Sequence, residues 1–145
     1  MKIHIVTIGE PKLAYAKAGW KEYTARLRHY HTIKLTHIND KNNDDAHVLE
    51  AARSGSNPYT VALTIDGPQL SSQLLAKFMD DKTNQARELC LIIGGPDGLS
   101  EAVINQADRC LGLSALTFPH DLAMVVLAEA LYRASTLNSG HPYHR

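Results

Sequence analysis

Strand-like and helix-like patterns alternate along the whole chain. Lys2–Ile8 alternates polar and apolar positions, the period-2 signature of a strand, and stops at Gly9. Pro11 suits the first turn of a helix. Leu13, Ala16, Trp20, Tyr23 and Leu27 then recur three and four residues apart, which predicts a helix to about His29. Thr32–Ile38 alternates again and reads as a second strand. The polar stretch 39–45 is a loop that caps a short helix ending near Arg53, and Ser54-Gly55-Ser56-Asn57-Pro58 breaks the chain. A third strand follows over 59–65, then the turn Asp66-Gly67-Pro68 and a helix capped by Ser71 or Ser72 that runs to about Gln85.

The C-terminal half has stronger signals. Residues 89–93 are continuously apolar, as a strand covered on both faces should be. They end in Gly94-Gly95-Pro96-Asp97-Gly98, after which Ser100 caps a short helix to about Asp108. A short strand over 111–114 and a loop over 115–120 precede the last helix, 121–137. That helix is apolar nearly all round its middle, from Leu122 through Ala128, so it is buried on more than one side. In a domain of this size some of that surface is expected to meet a second subunit. The alternation predicts one α/β domain over 1–145, an open and mainly parallel sheet. Ligands of such sheets bind beyond the carboxyl ends of the strands, where the glycine loop falls.

Composition narrows the partners. The 145 residues are 44% hydrophobic and 21% charged, ordinary globular usage. No apolar run approaches the roughly 18–20 residues of a membrane span. The opening segment is too short in apolar residues for a secretory leader. Fifteen basic residues balance fifteen acidic ones, which excludes coating of nucleic acid by bulk charge but leaves room for a local basic patch. Cys90 and Cys110 have neither zinc-type nor redox spacing and read as reduced core thiols of a cytosolic protein.

Several constellations bear on chemistry. The glycine loop is neither a dinucleotide fingerprint, since Ile93 stands where glycine is needed, nor a Walker A loop. It is either a tight strand-to-helix turn or a loop whose backbone N–H groups meet a ligand. Gly112-Leu113-Ser114-Ala115-Leu116 departs from the nucleophile elbow at Leu116, which disfavours a serine hydrolase. His141 and His144 lack a third ligand nearby, so no metal site is expected. Glu129 and Arg133 stand four apart on an apolar helix, either a routine ion pair or a positioned, partly buried arginine. Arg26-Leu27-Arg28-His29-Tyr30-His31 mixes cations with aromatic rings. The tail His141-Pro142-Tyr143-His144-Arg145 does the same, and could stack on a base and hold phosphate or simply dock on the core.

Four ordered motifs carry a resemblance. They are 92–99 (Ile-Ile-Gly-Gly-Pro-Asp-Gly-Leu), 113–120 (Leu-Ser-Ala-Leu-Thr-Phe-Pro-His), 128–134 (Ala-Glu-Ala-Leu-Tyr-Arg-Ala) and the tail 141–145. Together they resemble the RlmH-type enzymes, SPOUT-class methyltransferases that use S-adenosylmethionine to methylate N3 of a pseudouridine in large-subunit ribosomal RNA. The resemblance spans essentially the whole chain. It implies a C-terminal trefoil knot, a homodimer, a cytoplasmic location, and ribosomal RNA as partner, with no membrane and no metal.

Carried over by position, the resemblance implies a cofactor pocket of Leu63, Gly95, Ser114, Ala115, Leu116, Thr117, Phe118 and Pro119. The sulfonium methyl would face the tail. It implies His120, Arg133, His141, Tyr143 and Arg145 on the RNA side, and Arg133, Tyr143, His144 and Arg145 in catalysis. Uridine-type N3–H is a weak acid, so a base or a cation is needed: His144 could accept the proton directly or through water, Arg133 or Arg145 could stabilise the anion, and the sequence leaves open which group is the base. Family members often carry arginine where this chain has Met124, which implies one cation fewer at the RNA face. Two other readings are a SPOUT enzyme acting on another RNA such as tRNA, and a non-catalytic ribosome-binding relative.

Overall fold

The computed structural model describes residues 1–39, 41 and 43–144. Strands and helices alternate strictly: β1 (Lys2–Ile8), α1 (Ala14–Leu27), β2 (Thr32–Ile38), α2 (Asp45–Ala52), β3 (Pro58–Leu63), α3 (Ser72–Asn84), β4 (Glu88–Ile93), α4 (Glu101–Gln106), β5 (Arg109–Leu111) and α5 (His120–Ser139). The strands form one parallel sheet in the order β2-β1-β4-β3-β5. On one face α5 packs between α1 and α3, over a core that includes Ile5, Leu91, Met124 and Leu131. On the other, α2 and α4 cover Val6, Ile8 and Ile92.

The sheet departs from the sequence expectation in two places. β1 alternates in sequence, yet every residue from Ile3 to Ile8 is buried. It lies between β2 and β4 with helices on both faces, so its polar members must be satisfied internally. His4 Nε2 meets the Thr36 hydroxyl at 2.7 Å, and Thr7 meets His37 Nδ1 at 2.6 Å. The last strand lies at 109–111 rather than 111–114. Its register against β3, Val61 with Arg109 and Leu63 with Leu111, is set by Asp108, whose carboxylate accepts from the Thr60 N–H at 2.8 Å.

Past β5 the chain runs hard against the turn after β3. Thr64 N–H donates to Leu111 O at 2.9 Å, and Gly112 N–H donates to Pro68 O at 3.0 Å. A Cβ at Gly67 would stand 2.7 Å from the Leu111 carbonyl carbon, so only glycine permits this crossing. Asp121, second residue of α5, then ties that helix to the start of α1: its carboxylate accepts from the N–H groups of Lys12 and Leu13 at 2.8 and 2.7 Å. Cys90 is buried on β4, which pushes its thiol up to about 12; Cys110 is half-buried, and neither is in a disulfide.

Candidate functional site

A cavity of about 440 Å³ opens beyond the carboxyl ends of β3 and β4, within the usual small-molecule range of roughly 300–1,000 Å³. Leu63 to Ile65 form one wall, the glycine loop another, and Leu113 to Pro119 a third, with His120 and Ala123 of α5 closing it. The glycine loop is shaped by its own backbone. Gly98 N–H donates to Gly95 O at 2.9 Å, and a Cβ on Gly94 would lie 2.5 Å from the Gly98 carbonyl carbon. A Cβ on Gly95 would meet Ile8 at 3.4 Å, so a side chain there would press first on β1. Across the cavity, Ser114 Oγ accepts from the Leu116 N–H at 3.0 Å and folds the second loop back on itself.

The walls are mostly apolar. Among the described residues, His120 is the one ionisable side chain lining the cavity, and both of its ring nitrogens are buried without a hydrogen-bond partner. Backbone groups and an unsatisfied imidazole in an apolar cleft suit a mid-sized ligand with a few polar edges.

The tail gathers elsewhere, along the second half of α5. One carboxylate oxygen of Glu129 accepts from Arg133 Nε at 2.9 Å, from Arg133 Nη2 at 2.6 Å and from the Tyr143 hydroxyl at 3.1 Å. The Tyr143 ring lies edge-on to Tyr132 at 4.7 Å between centroids, with the Arg133 guanidinium 4.8 Å from its own centroid. The Arg133 guanidinium places Nη1 3.2 Å from His144 Nδ1, and the Gln73 side-chain nitrogen lies 3.4 Å from Nε2 on the other side of the ring. The Glu129 carboxylate holds the Arg133 guanidinium still more firmly in its charged form. Burial, then the Tyr23 hydroxyl and Glu129, push the Tyr143 phenol up.

Known proteins resemble this chain over its full length. A family model described as "Predicted SPOUT methyltransferase" matches residues 1–144. A protein named "Ribosomal RNA large subunit methyltransferase H" from Deinococcus radiodurans is 45% identical over 148 aligned positions, covering 100% of this chain and 99% of its own. Its namesake from Deinococcus deserti is 47% identical, covering 100% of both. The chain is an RlmH-type SPOUT methyltransferase. A solved methylase-family protein from Haemophilus influenzae Rd KW20 shares the fold, with a TM-score of 0.62 at 10% identity over 99% of this chain and 70% of that one.

The structure brings most of the residues expected around a cofactor to one cavity. Leu63, Gly95, Ser114, Leu116, Thr117, Phe118 and Pro119 all line the cavity. Ala115 does not; it is exposed on the outer side of the loop that Ser114 folds. His120, expected on the RNA side, stands in the cavity wall because it is the first residue of α5. The described tail residues, 141–144, do not line this cavity. Arg133 lies thirteen residues along α5 from His120, about 20 Å at 1.5 Å per residue. His141 is exposed, and its N–H donates to Thr136 O at 2.9 Å to close the helix end; Arg145 lies outside the described residues.

Met124 is fully buried, so in this methyltransferase the position belongs to the core and presents nothing to RNA. Sequence reasoning missed Thr64, Ile65 and Ala123 in the cavity, and Tyr23 and Gln73 beside the tail. Tyr23 was visible only as part of the apolar face of the first helix, and the others sit in no distinctive spacing. Glu129 was visible as the partner of Arg133 but not as the anchor of Tyr143. Among the described residues, no helix is long and apolar enough to cross a membrane, and no three His, Cys, Asp or Glu side chains gather to hold a metal ion.

Proposed function

We propose that this methyltransferase moves a methyl group from S-adenosylmethionine to N3 of a pseudouridine in 23S ribosomal RNA of the large subunit, as a cytoplasmic homodimer. The observation that carries the reading is the end-to-end similarity, at 45% and 47% identity, to relatives named for large-subunit ribosomal RNA.

The cavity fits the cofactor by its chemistry. Leu63, Ile93 and Leu113 offer apolar surface for a nucleoside, and the backbone of the two loops offers donors and acceptors for its edges. S-adenosylmethionine, when bound, supplies a methyl group made electrophilic by its sulfonium. The chain's own residues must exclude water, orient the base and manage one proton at N3. Arg133, permanently cationic beside Glu129, suits stabilisation of an N3 anion. Tyr143 offers a ring for stacking. His144, beside Arg133, offers a ring nitrogen as proton acceptor. His141 and Arg145 serve RNA from the same tail.

The described tail residues 141–144 do not line the cavity, and Arg133 lies about 20 Å along α5 from His120, which supports a site completed by a second chain. Leu122, Val126, Ala130 and Arg133 form a half-buried stripe along α5, three or four residues apart. Pairing two such stripes would bring one chain's tail to the other's cavity. The tight crossing of Leu111 and Gly112 against 64–68, with α5 returning over α1 and α3, supports the trefoil knot of the family.

Transfer of labelled methyl from the cofactor to ribosomes, set beside transfer to tRNA, tests the reading. Label should enter large-subunit RNA. Label in tRNA alone would move the substrate, and no label in any RNA would leave a non-catalytic relative.

A further inference from the structure

His120 is the most isolated polar group in the cavity. Its Nδ1 and Nε2 are both buried, and neither has a hydrogen-bond partner among the described residues. Buried imidazole nitrogens are rarely left this way, because an unmade hydrogen bond there keeps the full cost of desolvation. Its neighbour makes no hydrogen bond to it: Asp121 Oδ2 accepts from the Lys12 and Leu13 N–H groups instead. His120 is also the first residue of a twenty-residue helix whose N-cap, Pro119, makes no side-chain cap. The first helical bond runs from Ala123 N–H to Pro119 O at 2.9 Å, which leaves the N–H groups of the first turn without intrahelical acceptors. Since His120 and Ala123 both line the cavity, that turn opens on it.

Two independent features therefore ask for an acceptor at one place: an unpartnered imidazole and an uncapped helix start. The partial positive charge of the helix start favours an anion and disfavours an ammonium. Among the described lining residues there is no lysine or arginine to do this instead. S-adenosylmethionine carries one anionic group, the carboxylate of its amino-acid part. We propose that His120, with the first turn of α5, binds that carboxylate, so that His120 is a cofactor ligand and not an RNA contact. The inference rests on the reading that the cavity takes S-adenosylmethionine.

Two probes separate the amino-acid part from the rest: S-adenosylhomocysteine, which keeps it, and 5′-methylthioadenosine, which lacks it. Calorimetric titration of the full chain should show His120→Ala weakening S-adenosylhomocysteine about tenfold or more while 5′-methylthioadenosine binds as before. His120→Gln, which keeps a donor, should recover part of the loss. Equal losses for both ligands would mean a deformed cavity, and no loss for either would return His120 to the RNA side; each result overturns the assignment. Should both variants fail to fold, ring-nitrogen NMR of the unaltered protein decides. The His120 signals should move with S-adenosylhomocysteine and stay still with 5′-methylthioadenosine, and any other pattern refutes the contact. Failure of the unaltered protein to bind either probe would instead remove the cofactor reading itself.

Discussion

The Tyr143 hydroxyl donates to Glu129 across 3.1 Å, on the same carboxylate oxygen that takes two nitrogens of Arg133. This contact fastens the tail to the last helix. It also changes what tail removal should do, because a tail serving only RNA would leave stability untouched.

Deleting residues 141–145 removes a Tyr143 ring that packs on Tyr132 and on the main core. The expected cost is about 1–3 kcal/mol, seen as a melting point lower by several degrees. Cofactor affinity of the isolated chain should persist, since none of the described tail residues, 141–144, lines the cavity. Methyl transfer should fall by orders of magnitude. An unchanged melting point would mean that the tail is not docked in solution.

Asp121→Ala should destabilise by about 1–2 kcal/mol, because the Lys12 and Leu13 N–H groups lose the oxygen that caps α1. Asp121→Asn keeps an acceptor and should cost less. Burial pushes this carboxyl up, but the two N–H groups and His120 outweigh it and hold the carboxyl below its ordinary value. Its stabilisation is therefore present above the unfolded-state pKa of about 4 and disappears as pH falls through the lower folded value. Urea unfolding of the variants at pH 7 checks the order; equal losses for Ala and Asn would exclude a capping role.

His31 gives a second pH dependence of opposite chemical origin. Burial lowers its pKa from 6.5 to about 4, with its Nε2 against the Ser135 hydroxyl at 2.8 Å and its Nδ1 buried without a partner. The unfolded chain then binds more protons than the folded one between those values, so stability rises with pH across that window. Its contribution is complete above about 6.5 and is lost as pH falls toward about 4, a change on the order of 2–3 kcal/mol. Comparing unfolding free energies with His31→Gln from pH 7 to pH 4 should show the variant less steep. Parallel curves would mean that His31 titrates normally.

The half-buried stripe on α5 predicts a concentration-independent dimer at micromolar protein. Val126→Asp places a charge in the middle of that stripe and should yield monomers with little methyl transfer. Mixing two inactive chains gives the sharper test. A tail-deleted chain with an intact pocket, combined with a Gly94→Ala chain with an intact tail, should regain part of the activity. In Gly94→Ala the Cβ must displace Gly98, so the loop at the cavity opens. No recovery in demonstrated mixed dimers would confine the site to one chain.

The order of elements was legible in the sequence because it follows from local periodicity. The threes and fours of Leu13 to Leu27, the apolar run into Gly94, and serine caps at Ser71 and Ser100 all act within a few residues of themselves. The place of the cavity was legible for a related reason: parallel strands expose their carboxyl ends together, and Gly95 and Ser114 follow such ends. Tertiary structure alone decided the rest. β1 is buried on both faces because it lies inside the sheet with helices packed over both sides, which no alternation within 2–8 records. Asp121 reaches Leu13 from 108 positions away, and Tyr143 finds Tyr23 from 120. The distance from the cavity to Arg133 is set by α5, which packs between α1 and α3 with His120 at its first residue and Arg133 thirteen positions further on, a spacing that no local pattern in the sequence records.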